Sequence, residues 1–243
     1  MLTPFAPWRI EQFETLASTS DLCAERARAG EADRLLIIAA SQTAGRGRAG
    51  RVWSSPPGNF YASALLRPGI PAAEGGLFAL LAGLSLLEAI EQASGTDAVL
   101  RLKWPNDITA GAAKLAGILL DATIEAGRIA TLVIGFGVNL AFAPEIPGRA
   151  TTSLAAFGLR HALDDLAGFL CGRIDHWQAD MTADAGANLR AAWLVRAHPI
   201  GSTISIDAGR LTGEFAGIDV DGSLLLRQGE QVTIIRSGDV ALL

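Results

Sequence analysis

Apolar and polar positions fall into short blocks over most of the chain, and the period of each block predicts an element. Residues 35–40 and 59–66 are short apolar runs bounded by turn formers and predict strands. Ser18-Thr19-Ser20-Asp21 supplies N-cap oxygens for a helix over about 22–29, with Gly30 as its stop. Residues 77–93 are apolar on every side and too long for a strand, so they predict a buried helix. A strand over 98–103 stops at Trp104-Pro105-Asn106-Asp107, because proline lacks an amide donor and restricts the residue before it. Residues 108–113 turn at Ala110-Gly111 and return as a strand over 114–121. The strand over 129–138 is interrupted by Gly135 and Gly137, which marks a bulge or the close approach of something flat. Leu163, Leu166, Leu170, Ile174, Trp177 and Met181 recur at helical spacing and read as a core stripe, followed by a short helix over 187–195. Beyond His198-Pro199-Ile200-Gly201 only short strands remain, over 203–207, 210–219, 223–227, 232–235 and 239–242. They predict a small SH3-like β-barrel over 198–243 behind a larger unit over 1–197.

Charge narrows what such a chain does. The 243 residues carry a formal net charge of −5, which argues against a general nucleic-acid binder. Its two cysteines, Cys23 and Cys171, form no CxxC pair and suggest neither a disulfide framework nor a zinc site. The N-terminus lacks the basic start and apolar run of a secretory signal, and the apolar stretch 77–90 is shorter than the ~18 residues of a spanning helix. A cytoplasmic protein with no membrane role is the expectation. His161, His176 and His198 have neither metal spacing nor a nucleophile beside them and read as structural.

The candidate chemistry sits in residues 42–58, QTAGRGRAGRVWSSPPG, at the end of a predicted strand. Arg46, Arg48 and Arg51 alternate with Gly45, Gly47 and Gly50, a main-chain cradle carrying guanidinium forks that suits phosphate or carboxylate. So many glycines predict a loop that is mobile when empty. Gly45-x-Gly47-x-x-Gly50 matches the dinucleotide fingerprint formally, but that motif opens a helix, and Trp53, Pro56, Pro57 and Gly58 forbid one. A solvated basic loop that touches nothing is the bland alternative.

Together, GRGRAGRVWSSPPG, KWPNDI at 103–108, KLAGILL at 114–120 and GFGVN at 135–139 closely resemble the biotin–protein ligases, whose members carry GRGRxGRxWxSPxG, KWPND, KLAGIL and GxGxN in this order. The resemblance covers almost the whole chain. It implies an α+β fold, a class II aminoacyl-tRNA synthetase-like mixed sheet with helices followed by the family's SH3-like barrel. It also implies an ATP-dependent ligase that makes biotinyl-5′-AMP and transfers biotin to a lysine of a biotin carboxyl carrier protein domain. The segment before Ser18 is too short for the DNA-binding domain of bifunctional relatives, so a monofunctional monomer or weak homodimer without DNA binding is expected. Two departures stand out: Ser20 where relatives often have Asn or Asp, and Val52 where lysine is common.

By the same resemblance, Lys114, Arg48 and Asp107 are the catalytic candidates. Ser18, Thr19, Gln42, Gly45, Arg46, Lys114, Gly117 and Gly135 are assigned to biotin. Arg46, Arg48, Arg51, Trp53, Lys103, Asn106 and Asn139 are assigned to ATP and its phosphates, with Trp53 and Trp104 expected to wall the site. Mg²⁺ is expected with ATP, although no all-protein metal cage is visible. A lipoate or octanoyl transferase and a non-catalytic anion-binding module remain as alternatives.

Overall fold

The computed structural model describes residues 7–95, 99–158 and 165–243. Ala98, Leu163 and His161 lie outside the described residues. Strands β1 (Arg9–Leu16), β2 (Leu35–Gln42), β3 (Phe60–Leu66), β4 (Leu100–Lys103), β5 (Asp107–Ala110), β6 (Ala113–Glu125) and β7 (Arg128–Val138) form one sheet in the order β1-β2-β3-β7-β6-β5-β4. Only β1 and β2 run parallel; the remaining neighbours are antiparallel.

Strand side chains alternate between faces, and here the two faces have different tasks. On one, Ala62, Ala64, Ile134 and Phe136 join a large apolar cluster with helices α2 (Gly76–Ser94), α3 (Leu166–Asp184) and α4 (Ala187–Arg196). On the other, Leu35, Ile37, Leu65 and Val133 pack against Cys23 and Ala27 of α1 (Thr19–Arg28). Leu80, Leu81, Leu84, Leu86 and Leu87 of α2 are fully buried, each contributing about 1.5–3 kcal/mol relative to exposure. α2 has 19 residues, longer than its apolar stretch, and is by length and composition able to cross a bilayer. In this fold it is instead packed between the sheet and α3, with 67% of its most apolar window buried.

β8 (Thr203–Ile206), β9 (Leu211–Ile218), β10 (Leu224–Gln228), β11 (Gln231–Ile235) and β12 (Val240–Leu242) form a second, antiparallel sheet in the order β11-β10-β9-β8-β12. Its apolar side chains Ile204, Phe215 and Leu224 belong to the same cluster as α2. Trp104 fastens the two sheets. It is buried and donates its indole N–H to the Gly222 carbonyl at 3.0 Å. It therefore does not wall the candidate site, because its ring points into the contact between the sheets. A Cβ on Gly76 would stand 2.3 Å from the Asp221 carbonyl oxygen, so only glycine allows the start of α2 to meet the β9–β10 turn.

Candidate active site

Ser18 caps α1, its hydroxyl accepting from the Asp21 amide at 3.3 Å, and the capped end lies over the glycine-bearing face of β7. The hydroxyls of Thr19 and Ser20 share Ser63 on β3 at 2.8 and 3.0 Å. Gln42, at the end of β2, accepts from the Thr19 amide at 2.8 Å and donates to Ser55 at 2.8 Å. These groups make a compact polar end with donors and acceptors side by side, in a cavity of about 640 Å³.

The floor is bare backbone. A Cβ on Gly135 would stand 2.6 Å from the Ser20 hydroxyl, and one on Gly137 2.5 Å from the Trp53 ring. Real Cβ atoms do not sit that close, so a side chain at Gly135 would turn the Ser20 hydroxyl aside, and one at Gly137 would displace the Trp53 indole, the flat group that approaches it. The same ring crosses Gly117, where a Cβ would be 2.9 Å away. Its N–H is buried without a protein partner, a donor available to a ligand.

Residues 45–53 fold back on themselves, with Gly47 N–H donating to Arg51 O at 2.7 Å and Trp53 N–H to Gly45 O at 2.9 Å. The left-handed residues are Ala49 (φ 54°) and Gly50 (φ 71°), whereas Gly47 is extended (φ −119°). Gly47 is thus needed for something other than positive φ; a Cβ there would press on the Arg51 carbonyl at 3.3 Å. Gly45 does not line the cavity. Its α-carbon faces Trp53 O and Ser55 Oγ, which a Cβ would approach to 2.4 and 2.5 Å, so it serves the turn.

Every cation of the cavity has a polar partner. Arg46 bridges Asp21 at 2.9 Å and Asp121 at 2.8 Å. Arg48 donates to Asn106 Oδ1 at 3.0 Å, and Arg51 grips Asp239 through two bonds of 2.9 and 3.1 Å. Lys114 Nζ donates to Asp107 Oδ1 at 2.6 Å and stands 5.2 Å from the centre of the Trp53 ring. Its backbone is clamped, because Lys114 N–H donates to Ala150 O and Lys114 O accepts from Thr152 N–H, both at 2.9 Å. The hydrogen bond from Arg51, with the charges of Arg51, Arg149 and Arg48, holds the Asp239 carboxyl below its ordinary value.

Such a site can hold a polar ring at one end and an anion along its length, and can stabilise negative charge that develops beside Lys114. Residues 13–139 match the biotin/lipoate A/B protein ligase family. This chain belongs to that family. It is 38% identical to a biotin–[acetyl-CoA-carboxylase] ligase of Paracoccus denitrificans over 81% of this chain and 86% of the relative. It is 33% identical to the bifunctional ligase/repressor BirA of Bacillus subtilis over 94% of this chain and 72% of that protein. The fold matches the biotin protein ligase of Aquifex aeolicus, solved in complex with biotin and ATP, with a TM-score of 0.78 at 24% identity, covering 96% of this chain and 98% of that one. The α+β class with its large mixed sheet is the class expected from the sequence.

Among the family residues expected from the motifs, the fold gathers Ser18, Thr19, Gln42, Arg46, Arg48, Arg51, Trp53, Asn106, Asp107, Lys114, Gly117, Gly135 and Asn139 around the cavity. Asn139 is 2% exposed and donates its amide to Thr152 O at 3.0 Å, so part of its role is to hold the 144–152 segment. Lys103 does not line this cavity; it borders a small gap against Trp193 and His198, and burial pushes its pKa below the ordinary value. Reading the motifs missed Asp21, Ser63, Asp121, Arg149 and Asp239, all partners or lining residues that lie outside the motif blocks.

Proposed function

We propose that the protein is an ATP-dependent ligase that activates biotin as biotinyl-5′-AMP and transfers it to a lysine of a biotin carboxyl carrier protein domain. The observation that carries this reading is one cavity lined by a hydroxyl-and-amide cluster with Arg46 beside it, a glycine floor, Lys114, and Arg48, Arg51 and Arg149 gathered near Asp239. The cluster of Ser18, Thr19 and Gln42, backed by Ser63, suits a ureido ring, which both donates and accepts. The ring's carboxylate tail would then extend toward Lys114, alongside the Trp53 ring that covers Gly117.

In the first step a biotin carboxylate oxygen attacks the α-phosphate, a P–O bond forms, and the bond to pyrophosphate breaks. Two anions meet in that step, so the residues contribute by positioning and by positive charge. Lys114 would offset the charge where the carboxylate and the α-phosphate meet, with Arg48 and Arg51 toward the distal phosphates and Arg46 nearer the hydroxyl cluster. The present carboxylate partners of Arg46 and Arg51, Asp21, Asp121 and Asp239, are about half exposed, so phosphate can replace them without leaving a buried charge unpaired.

In the second step the acceptor amine attacks the anhydride carbonyl and AMP leaves. The amine arrives protonated, and Asp107 is the carboxylate placed to take its proton. Among the described residues no three His, Cys, Asp or Glu side chains converge as a metal cage. Mg²⁺ would arrive with the nucleotide, on its phosphate oxygens. The test is ATP–pyrophosphate exchange with biotin, lipoate or octanoate as the acid. Exchange with biotin alone supports the reading; exchange with lipoate alone moves the chain to the lipoate branch of the family, and none with any acid refutes ligation.

A further inference from the structure

Three basic side chains gather at the phosphate end of the cavity, Arg48 and Arg51 from the loop and Arg149 from the 144–152 segment, and one carboxylate from the second sheet stands among them. Asp239 receives two nearly parallel bonds from Arg51, at 2.9 and 3.1 Å, and lies 3.9 Å from Arg149 Nη2. A carboxylate gripped this way presents its two oxygens to guanidinium much as a phosphate does. Its backbone is fixed: the Asp239 amide donates to Asp207 Oδ1 and the Asp207 amide to Asp239 O, both at 2.9 Å. A Cβ on Gly238 would meet Ile206 Cγ2 at 2.8 Å, so the turn that carries Asp239 is pressed onto β8. The second sheet thus delivers one carboxylate to a defined place. Arg149 is equally placed, by the turn from Ile146 and by the bond from Lys114 N–H to Ala150 O.

Resting on the nucleotide reading above, we propose that Asp239 is an internal occupant of the distal-phosphate seat. In the empty protein it closes Arg51 and Arg149; the distal phosphates of the nucleotide displace it and take both arginines. Arg149 is then a further phosphate-binding residue, and displacement detaches the 45–53 loop from the second sheet. Asp239 and Arg51 are both about half exposed, so their pair is weak enough to exchange. A seat that is mostly self-occupied binds its ligand more weakly by the fraction that is open, and an exposed pair of this kind accounts for about a fivefold factor.

The experiment is titration calorimetry of the full chain with inorganic pyrophosphate and with Mg²⁺–ATP, for the parent, Asp239→Asn and Arg149→Gln. Asp239→Asn should bind both ligands about fivefold more tightly, and Arg149→Gln should bind both several-fold more weakly. If Asp239→Asn binds with unchanged or lower affinity, Asp239 is instead a fixed support for Arg51 or a ligand for the nucleotide's metal, and the proposal is overturned. It is overturned equally if Arg149→Gln leaves binding unchanged or if the parent does not bind pyrophosphate. Biotin-dependent exchange in the parent separates the two failures: exchange without tighter binding by Asp239→Asn sinks only the occupant, while absent exchange sinks the ligase reading.

Discussion

Replacing Lys114 by glutamine should produce two losses, only one of which Asp107→Asn repairs. Lys114 and Asp107 meet at 2.6 Å with side chains 13% and 12% exposed, a largely buried ion pair. Removing one partner of a buried pair costs about 3–5 kcal/mol, because the other charge is left in a poor solvent. Glutamine still offers an N–H to Asp107, so the expected loss is about 1–3 kcal/mol, the worth of a charge-assisted hydrogen bond. Asp107→Asn in the same chain leaves two neutral amides and should recover most of that stability. The lost charge at the α-phosphate is not recovered. Preorganised donors at developing charge are worth about 2.7–4 kcal/mol, so adenylation should remain about 10²–10³-fold slower in both variants. Urea unfolding reads the first effect and biotin-dependent pyrophosphate exchange the second, free of any role of Asp107 in acyl transfer. Exchange within about threefold of the parent in either variant would refute the catalytic role of Lys114. A double variant no more stable than Lys114→Gln would refute the ion-pair argument.

Gly137→Ala places a Cβ 2.5–2.7 Å from three atoms of the Trp53 ring, so it should cost about 1–3 kcal/mol and displace the indole, weakening biotin or ATP binding in calorimetry; unchanged binding would contradict the floor. Lys103→Met should leave exchange within about threefold of the parent, since Lys103 lies outside the cavity. Burial holds the Lys103 pKa below its ordinary 10.5, so its contribution to stability is fully present above 10.5 and is lost as pH falls through the lowered value. Stability in urea should therefore rise with pH over that window in the parent and rise less in Lys103→Met. Trp104→Phe leaves the Gly222 carbonyl without its donor and should cost about 1–2 kcal/mol in urea unfolding while biotin affinity is kept; a loss of biotin affinity with no loss of stability would return Trp104 to the site.

Contiguous chemistry was legible in the chain. Ser18 as cap, the stop at Trp104-Pro105, the turn at Gly111 and the close approach at Gly137 each follow from a few neighbouring residues. β1 was not legible: it is an edge strand with most positions exposed or half-exposed, so RIEQFETL lacks the alternation that a buried face imposes. The counter-charges were not legible either. Asp121 and Asp239 stand 75 and 188 positions from their arginines, and only the folded chain brings them together. The motifs gave Lys114 to catalysis and Lys103 to the nucleotide's phosphates; in the fold Lys114 stands over Trp53 and lines the cavity, while Lys103 borders the gap beside His198. The left-handed backbone of the loop falls on Ala49 and Gly50 rather than on Gly47, and nothing in the composition of the loop singles out Ala49 for it.

The central claim is that this cavity joins biotin to adenylate and then to a carrier lysine. The most direct test incubates the purified chain with ATP and biotin, quantifies biotinyl-5′-AMP by mass spectrometry, and then adds a biotin carboxyl carrier protein domain whose intact mass is followed. An enzyme-bound adenylate should form and then disappear as the carrier gains one biotin, with no adenylate formed from lipoate. Carrier that stays unmodified while biotinyl-5′-AMP accumulates, or adenylate formed from lipoate and not from biotin, would contradict that claim.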